Sequence, residues 1–234
     1  VNVKQTISDT VSTRLGYKID YHFIEQFEFI LKESSPQATI EIKVKAGSGC
    51  YVFENSAEFR KEIDHIVDAI QEFTLSGHLP STSIYSNVVT IYFDNTDPYS
   101  FRSSKISYEF DDEKTYRYLK DKLTSLLKEH CIFYTSIMAF PYYPFAVLFT
   151  CVIFPYLSFK KLIPSKYEIP LTVFDSVFFI FALFRRSLFP KYEFDFGANI
   201  SQNSRAKSIR NFILGGIVFT IVINLVSNFL YDLF

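Results

Sequence analysis

A chain of 234 residues with 24 Lys/Arg against 25 Asp/Glu has room for one large domain or two small ones. The charge is unevenly divided: residues 1–130 carry 15 Lys/Arg and 20 Asp/Glu, whereas residues 131–234 carry nine and five. An acidic first half argues against nucleic acid as a partner, because phosphate binding draws its affinity from clustered cations.

The first half reads as alternating helices and strands. Residues 20–36 place Phe23, Ile24, Phe27, Ile30 and Leu31 on one helical face and stop at Pro36. Residues 38–53 alternate Ile40, Ile42 and Val44 with polar neighbours, which predicts a half-buried strand. Gly47 and Gly49 then supply a turn into a shorter partner strand around Cys50 to Phe53. A second helix is expected from a cap at Asn55 to a stop at Gly77 and Pro80. Its apolar face would be Phe59, Ile63, Ile66, Val67, Ile70 and Phe73.

Two strand-like runs follow, residues 83–94 and 105–110, separated by a polar loop. Asp111 and Asp112 open a third helix with Tyr116, Leu119, Leu123, Leu126 and Leu127 on one side. No breaker stands before Pro141, so this helix is expected to run on as one stiff rod into the second half. The order α-β-β-α-β-β-α predicts an α+β fold for residues 1–130, a small antiparallel sheet covered by helices.

The second half is apolar. Residues 131–159 carry no charge, residues 169–184 are interrupted by Asp175, and residues 211–231 are again continuous. Three such segments predict an α-helical membrane domain of about three spans over residues 131–234. The Lys/Arg distribution then places the first domain on the cytoplasmic side of an inner membrane. The N-terminus shows no basic stretch followed by an apolar core, so no signal peptide is expected. Cys50, Cys131 and Cys151 make no disulfide framework and suit a reducing compartment.

Candidate sites are few. Taking 100° per residue, Gly216, Thr220, Asn224, Ser227, Asn228 and Tyr231 share one arc of the last segment. That polar face fits either a seam between helices or the lining of a pore in a homo-oligomer. Asp175 is an acid inside an apolar run, either functional or simply wet at an interface. The loop with Asn95, Asp97, Tyr99, Phe101 and Arg102 is a candidate binding loop, with a plain hairpin connection as its bland alternative.

The residues supply no enzyme constellation. No glycine loop cradles a phosphate, and His22, His65, His78 and His130 lack metal-ligand spacing, so neither cofactor nor metal is expected. Asp64, Asp68 and Arg60 read as a solvated charged face. The architecture resembles the small effectors of bacterial abortive immunity, in which a sensing module is joined to membrane helices. That resemblance implies an oligomeric effector in membrane lipid, whose first domain senses a protein partner or a small signalling ligand and controls permeability. The alternatives are a membrane tether or assembly subunit with a protein-interaction domain, and an enzyme with its site in the first half.

Overall fold

Every second residue of β3 (Thr39–Ala46) is apolar, and Ile40, Ile42, Val44 and Ala46 are all buried. The computed structural model describes residues 6–13, 15–81, 87–95, 104–132, 134–135, 147–160, 176, 190–201, 203–212 and 215–216. The other strands of the first half follow the same rule of two: β5 (Ile70–Leu79) buries Phe73, Leu75 and Leu79, and β6 (Asn87–Asp94) buries Val89, Ile91 and Phe93. With β1 (Ile7–Thr13), β4 (Gly49–Phe53) and β7 (Ser104–Phe110) they form a six-stranded sheet in the order β1-β7-β6-β5-β3-β4. All its ladders are antiparallel.

One face of the sheet carries helices; the other carries the polar residues of each alternation. Helix α1 (Tyr21–Ser34) starts where Asp20 accepts from the amide of Phe23 at 2.9 Å, and it buries the five apolar residues named above. Helix α3 (Glu113–Glu129) is capped by Asp112, which accepts from the amide of Thr115 at 2.9 Å, and it buries Leu119, Leu123, Leu126 and Leu127. The two helices pack side by side over β3, β5 and β7.

Residues beyond 190 complete this core. Strand β8 (Tyr192–Phe194) pairs in parallel with β2 (Tyr17–Ile19), and Tyr192, Phe194 and Phe196 are 2, 1 and 0% exposed. Their rings meet Phe59, Phe73 and Phe93 at centroid distances of 5.0 to 5.7 Å, most of them tilted or edge-on. The core of the α+β unit is therefore not closed within residues 1–130.

Three expectations are corrected. The second helix is short: α2 (Ser56–Glu62) with a 3₁₀ turn (Ile63–His65) gives way to β5, and Val67 is 85% exposed. The stretch Phe73, Leu75, Gly77, Leu79 has a period of two, and Gly77 lies inside the strand rather than ending a helix. A Cβ on Gly77 would lie 2.4 Å from Leu31 Cδ1, so glycine admits the close approach of α1.

Helix α3 does not continue past its cap at His130. The chain turns to meet β2: Lys18 N donates to His130 O at 2.9 Å and Ile132 N to Gly16 O at 3.0 Å. A tertiary partner for the backbone ends the helix where no local breaker does.

The third correction concerns the membrane. Among the described residues, no helix is long and apolar enough to cross one, and this overturns the expected three-span α-helical membrane domain. With it go the multi-pass membrane localisation and the pore-forming reading. The described helical run of residues 147–159, π-helical at Phe149–Ile153, covers at most about 20 Å at 1.5 Å per residue, and helical residues 203–212 about 15 Å, against a hydrocarbon core of about 30 Å. Apolar runs were the basis of the expectation; Tyr192, Phe194 and Phe196, between the second and third of them, fill the core of the first half.

Candidate functional site

The parallel β2–β8 ladder gathers a polar cluster on its outward face. Lys18 and Glu193 are register partners there, while Tyr17, Ile19, Tyr192 and Phe194 point into the core. Lys18 lies 3.3 Å from Asp20 and 3.0 Å from Asp195. Burial works against its ammonium, yet the two carboxylates hold it above the ordinary lysine range.

Glu193 faces a second cation. Arg210 Nη2 lies 2.8 Å from Glu193 Oε1, with the two side chains only 9 and 17% exposed. The guanidinium sits 4.9 Å over the ring of Tyr134, whose Oη is 2.7 Å from Glu193 Oε1 and 3.1 Å from Pro190 O. Burial, and then the bond to Glu193, push the Tyr134 hydroxyl above the ordinary tyrosine range. Helical spacing brings Arg210 here: Asn203, Ala206 and Arg210 lie on one face of residues 203–212. Ala206 and Arg210 are buried there, and Asn203 Nδ2 donates to Phe194 O at 2.8 Å.

Gly16 allows the strands to close up. A Cβ there would lie 2.0 Å from Lys191 O and 2.6 Å from Thr135 Cγ2, and its amide donates to Thr135 Oγ1 at 3.0 Å. Burial lowers the neighbouring Lys191 ammonium to about 8, with the charge of Asp94 opposing the shift.

His130 joins the cluster from the end of α3. Its Nδ1 is 4.0 Å from Asp20 Oδ1, and its ring is 6.1 Å from that of His22 and 5.2 Å from Phe23. Burial pushes its pKa below the usual 6.5, partly offset by Asp20. The folded state therefore favours the neutral imidazole. This contribution to stability is complete above about pH 6.5 and is lost as the pH falls through the depressed folded value. Denaturant titrations between pH 8 and 5 are expected to show that loss, and His130→Gln is expected to flatten it. An unchanged slope in the variant would assign the acid sensitivity to other groups.

The cluster neutralises itself, cation against carboxylate. Its chemistry is that of a cross-link that ties residues 134–135, 190–195 and 203–210 to β2. Among the described residues, no group of three or more His, Cys, Asp or Glu is arranged to hold a metal ion.

The residues singled out from sequence are placed elsewhere or not placed. Asn95 extends the β5–β6 ladder by donating its amide to Gln71 O at 2.7 Å, while Asp97, Tyr99, Phe101 and Arg102 lie outside the described residues. Gly216 is exposed, with no atom within 4 Å of a Cβ placed on it among the described residues. Thr220, Asn224, Ser227, Asn228, Tyr231 and Asp175 lie outside the described residues. Arg60 pairs with Glu25 at 3.1 Å rather than with Asp64 or Asp68. Asp64 instead accepts from the amide of Gly197 at 3.3 Å.

The two edges of the six-stranded sheet differ, and sequence reasoning missed the contrast. At the β1 edge, Asp9 points inward. It accepts from Tyr116 Oη at 2.6 Å and from Lys120 Nζ at 2.8 Å, and the lysine, then the tyrosine, hold it below the usual carboxylate range. An inward charge pinned to a neighbouring helix is a standard guard against strand addition.

The β4 edge has no such device. Gly49 to Phe53 carries no charge and no proline, Tyr51 is 40% exposed, Val52 is 50% exposed, and Cys50 is an exposed thiol. The hairpin closes on the Ala46–Gly49 pair, so alternation along the ladder turns the N–H and C=O of Cys50 and Val52 away from β3. No protein-family model matches the chain, and comparison with curated proteins and with solved structures finds no match; its function is read from geometry alone.

Proposed function

We propose that the α+β unit is a protein-interaction module that docks a partner by strand addition at β4, and that it is not an enzyme. One observation carries this reading: an uncharged, exposed edge strand stands at one side of a sheet whose other edge is guarded by Asp9, Tyr116 and Lys120. Strand addition gains affinity from main-chain hydrogen bonds and selectivity from alternate side chains. At β4 those side chains are Tyr51 on the helix side and Cys50 and Val52 on the open face. The self-neutralised cluster at the β2–β8 ladder acts in this reading as a fastener that keeps the scaffold rigid.

The test is titration of the full chain, at low concentration, with a labelled neutral peptide of alternating Thr and Val, read by hydrogen exchange. The expected result is saturable uptake with slowed exchange at residues 49–53, lost in Val52→Pro, which removes an outward N–H. Binding that leaves those amides unprotected, or that survives Val52→Pro, would overturn the reading.

A further inference from the structure

Resting on the docking edge just described, we propose that its occupant is a second copy of this chain. Two β4 strands would pair antiparallel about a twofold axis at Tyr51 and merge two six-stranded sheets into one of twelve. The geometry and the charges both favour self-pairing over an unrelated strand.

The sheet is antiparallel throughout, so a strand added in the same sense continues its pattern. Antiparallel pairing of a strand with itself is also what a twofold, isologous contact requires. The register centred on Tyr51 uses the whole of Gly49–Phe53. It sets Cys50 opposite Val52 of the second copy, and these are the residues whose N–H and C=O point outward. The two equivalent pairs would exchange four backbone hydrogen bonds. Tyr51 meets its symmetry mate in the intervening, closer pair, where aromatic side chains stack best.

Self-pairing sets identical strands side by side, so any charge on β4 would repel its like; β4 has none. The nearest cations on the open face are Lys43 and Lys45 of β3, in register with Val52 and Cys50. Across the merged sheet, Lys43 of one copy and Lys45 of the other stand three strand spacings apart, about 14 Å at about 4.8 Å per strand. That exceeds the screening length of about 8 Å at physiological ionic strength. At the opposite edge, Asp9 faces inward against α3 and makes β1 a poor template. Five residues of ladder form a small interface, which points to a dissociation constant on the order of micromolar.

Analytical ultracentrifugation of the full chain across nanomolar to millimolar concentration tests this. A concentration-dependent monomer–dimer equilibrium is expected, weakened at least tenfold by Val52→Lys with the thermal midpoint unchanged. Val52→Cys supplies the second arm. Under a mild oxidant such as oxidised glutathione, it is expected to form covalent dimers through Cys50 of one copy and the new thiol of the other, because opposed Cα atoms lie within disulfide reach. Wild-type Cys50, facing Val52, is expected to form few such dimers.

A chain that stays monomeric while β4 takes up the strand peptide would overturn the second-copy inference and leave the docking edge standing. Dimers indifferent to Val52→Lys, or absent cross-links in Val52→Cys, would overturn it too. Loss of both peptide uptake and dimer would remove the docking edge itself.

Discussion

Ending the chain at His130 is expected to abolish cooperative folding of the α+β unit. The shortened chain keeps all six strands of the large sheet and all of α1 and α3, yet it loses Tyr192, Phe194 and Phe196 from the interior. Burying one large apolar side chain is worth about 1.5–3 kcal/mol, so the three together supply roughly 5–9 kcal/mol. A domain's whole net stability is about 5–15 kcal/mol. The loss also uncovers Phe59, Phe73 and Phe93, each 0% exposed in the full chain. The measurement is denaturant unfolding followed by circular dichroism, with the full chain as reference. A sharp transition in the shortened chain, within about 2 kcal/mol of that reference, would show that residues beyond 190 decorate the domain rather than complete it.

Arg210→Met is expected to destabilise the protein by about 3–5 kcal/mol, because it strands the buried carboxylate of Glu193 without its cation. Most of that loss is expected to return in the double variant Arg210→Met with Glu193→Leu. The second change removes the orphaned charge, and Tyr134 Oη still has Pro190 O at 3.1 Å as an acceptor. The double-mutant cycle isolates the pair from the packing of the arginine stem over the Tyr134 ring. Additive losses would mean that the ion pair contributes nothing beyond its separate side chains.

Legibility followed locality. Helix α1 was readable because its five buried residues recur at helical spacing between an Asp cap and a proline. Strands β3 and β4 were readable because Ile40, Ile42 and Val44 alternate before a glycine turn. The boundary between α2 and β5 was not, because Ile63, Ile66, Ile70 and Phe73 recur at helical spacing straight across it, and only the sheet register reveals the strand. The end of α3 was invisible because its stop signal lies over 100 residues away, in the backbone of Gly16 and Lys18. Strand β1 has only Ile7 and Val11 among five Ser, Thr and Asp residues, and its pairing is set by β7 rather than by apolar alternation. One signal was there to be used: Tyr192, Phe194 and Phe196 alternate with Glu193 and Asp195, a half-buried strand in the charged stretch between the second and third apolar segments. The β4 edge could not be recognised from sequence, since being an edge is a property of strand order.

The pairing of β2 with β8 has a consequence for the order of events at the ribosome. Tyr192 lies 82 residues beyond Phe110, the end of the last strand of the large sheet. At about 5–20 residues per second, the six-stranded sheet waits roughly 4–16 s for its final aromatic layer. During that interval the nascent chain holds a nearly assembled scaffold with an uncovered trench along Phe59, Phe73 and Phe93. Slow synthesis over residues 111–191 would lengthen that exposure, so yield of intact protein should depend on translation speed there more than anywhere else in the chain.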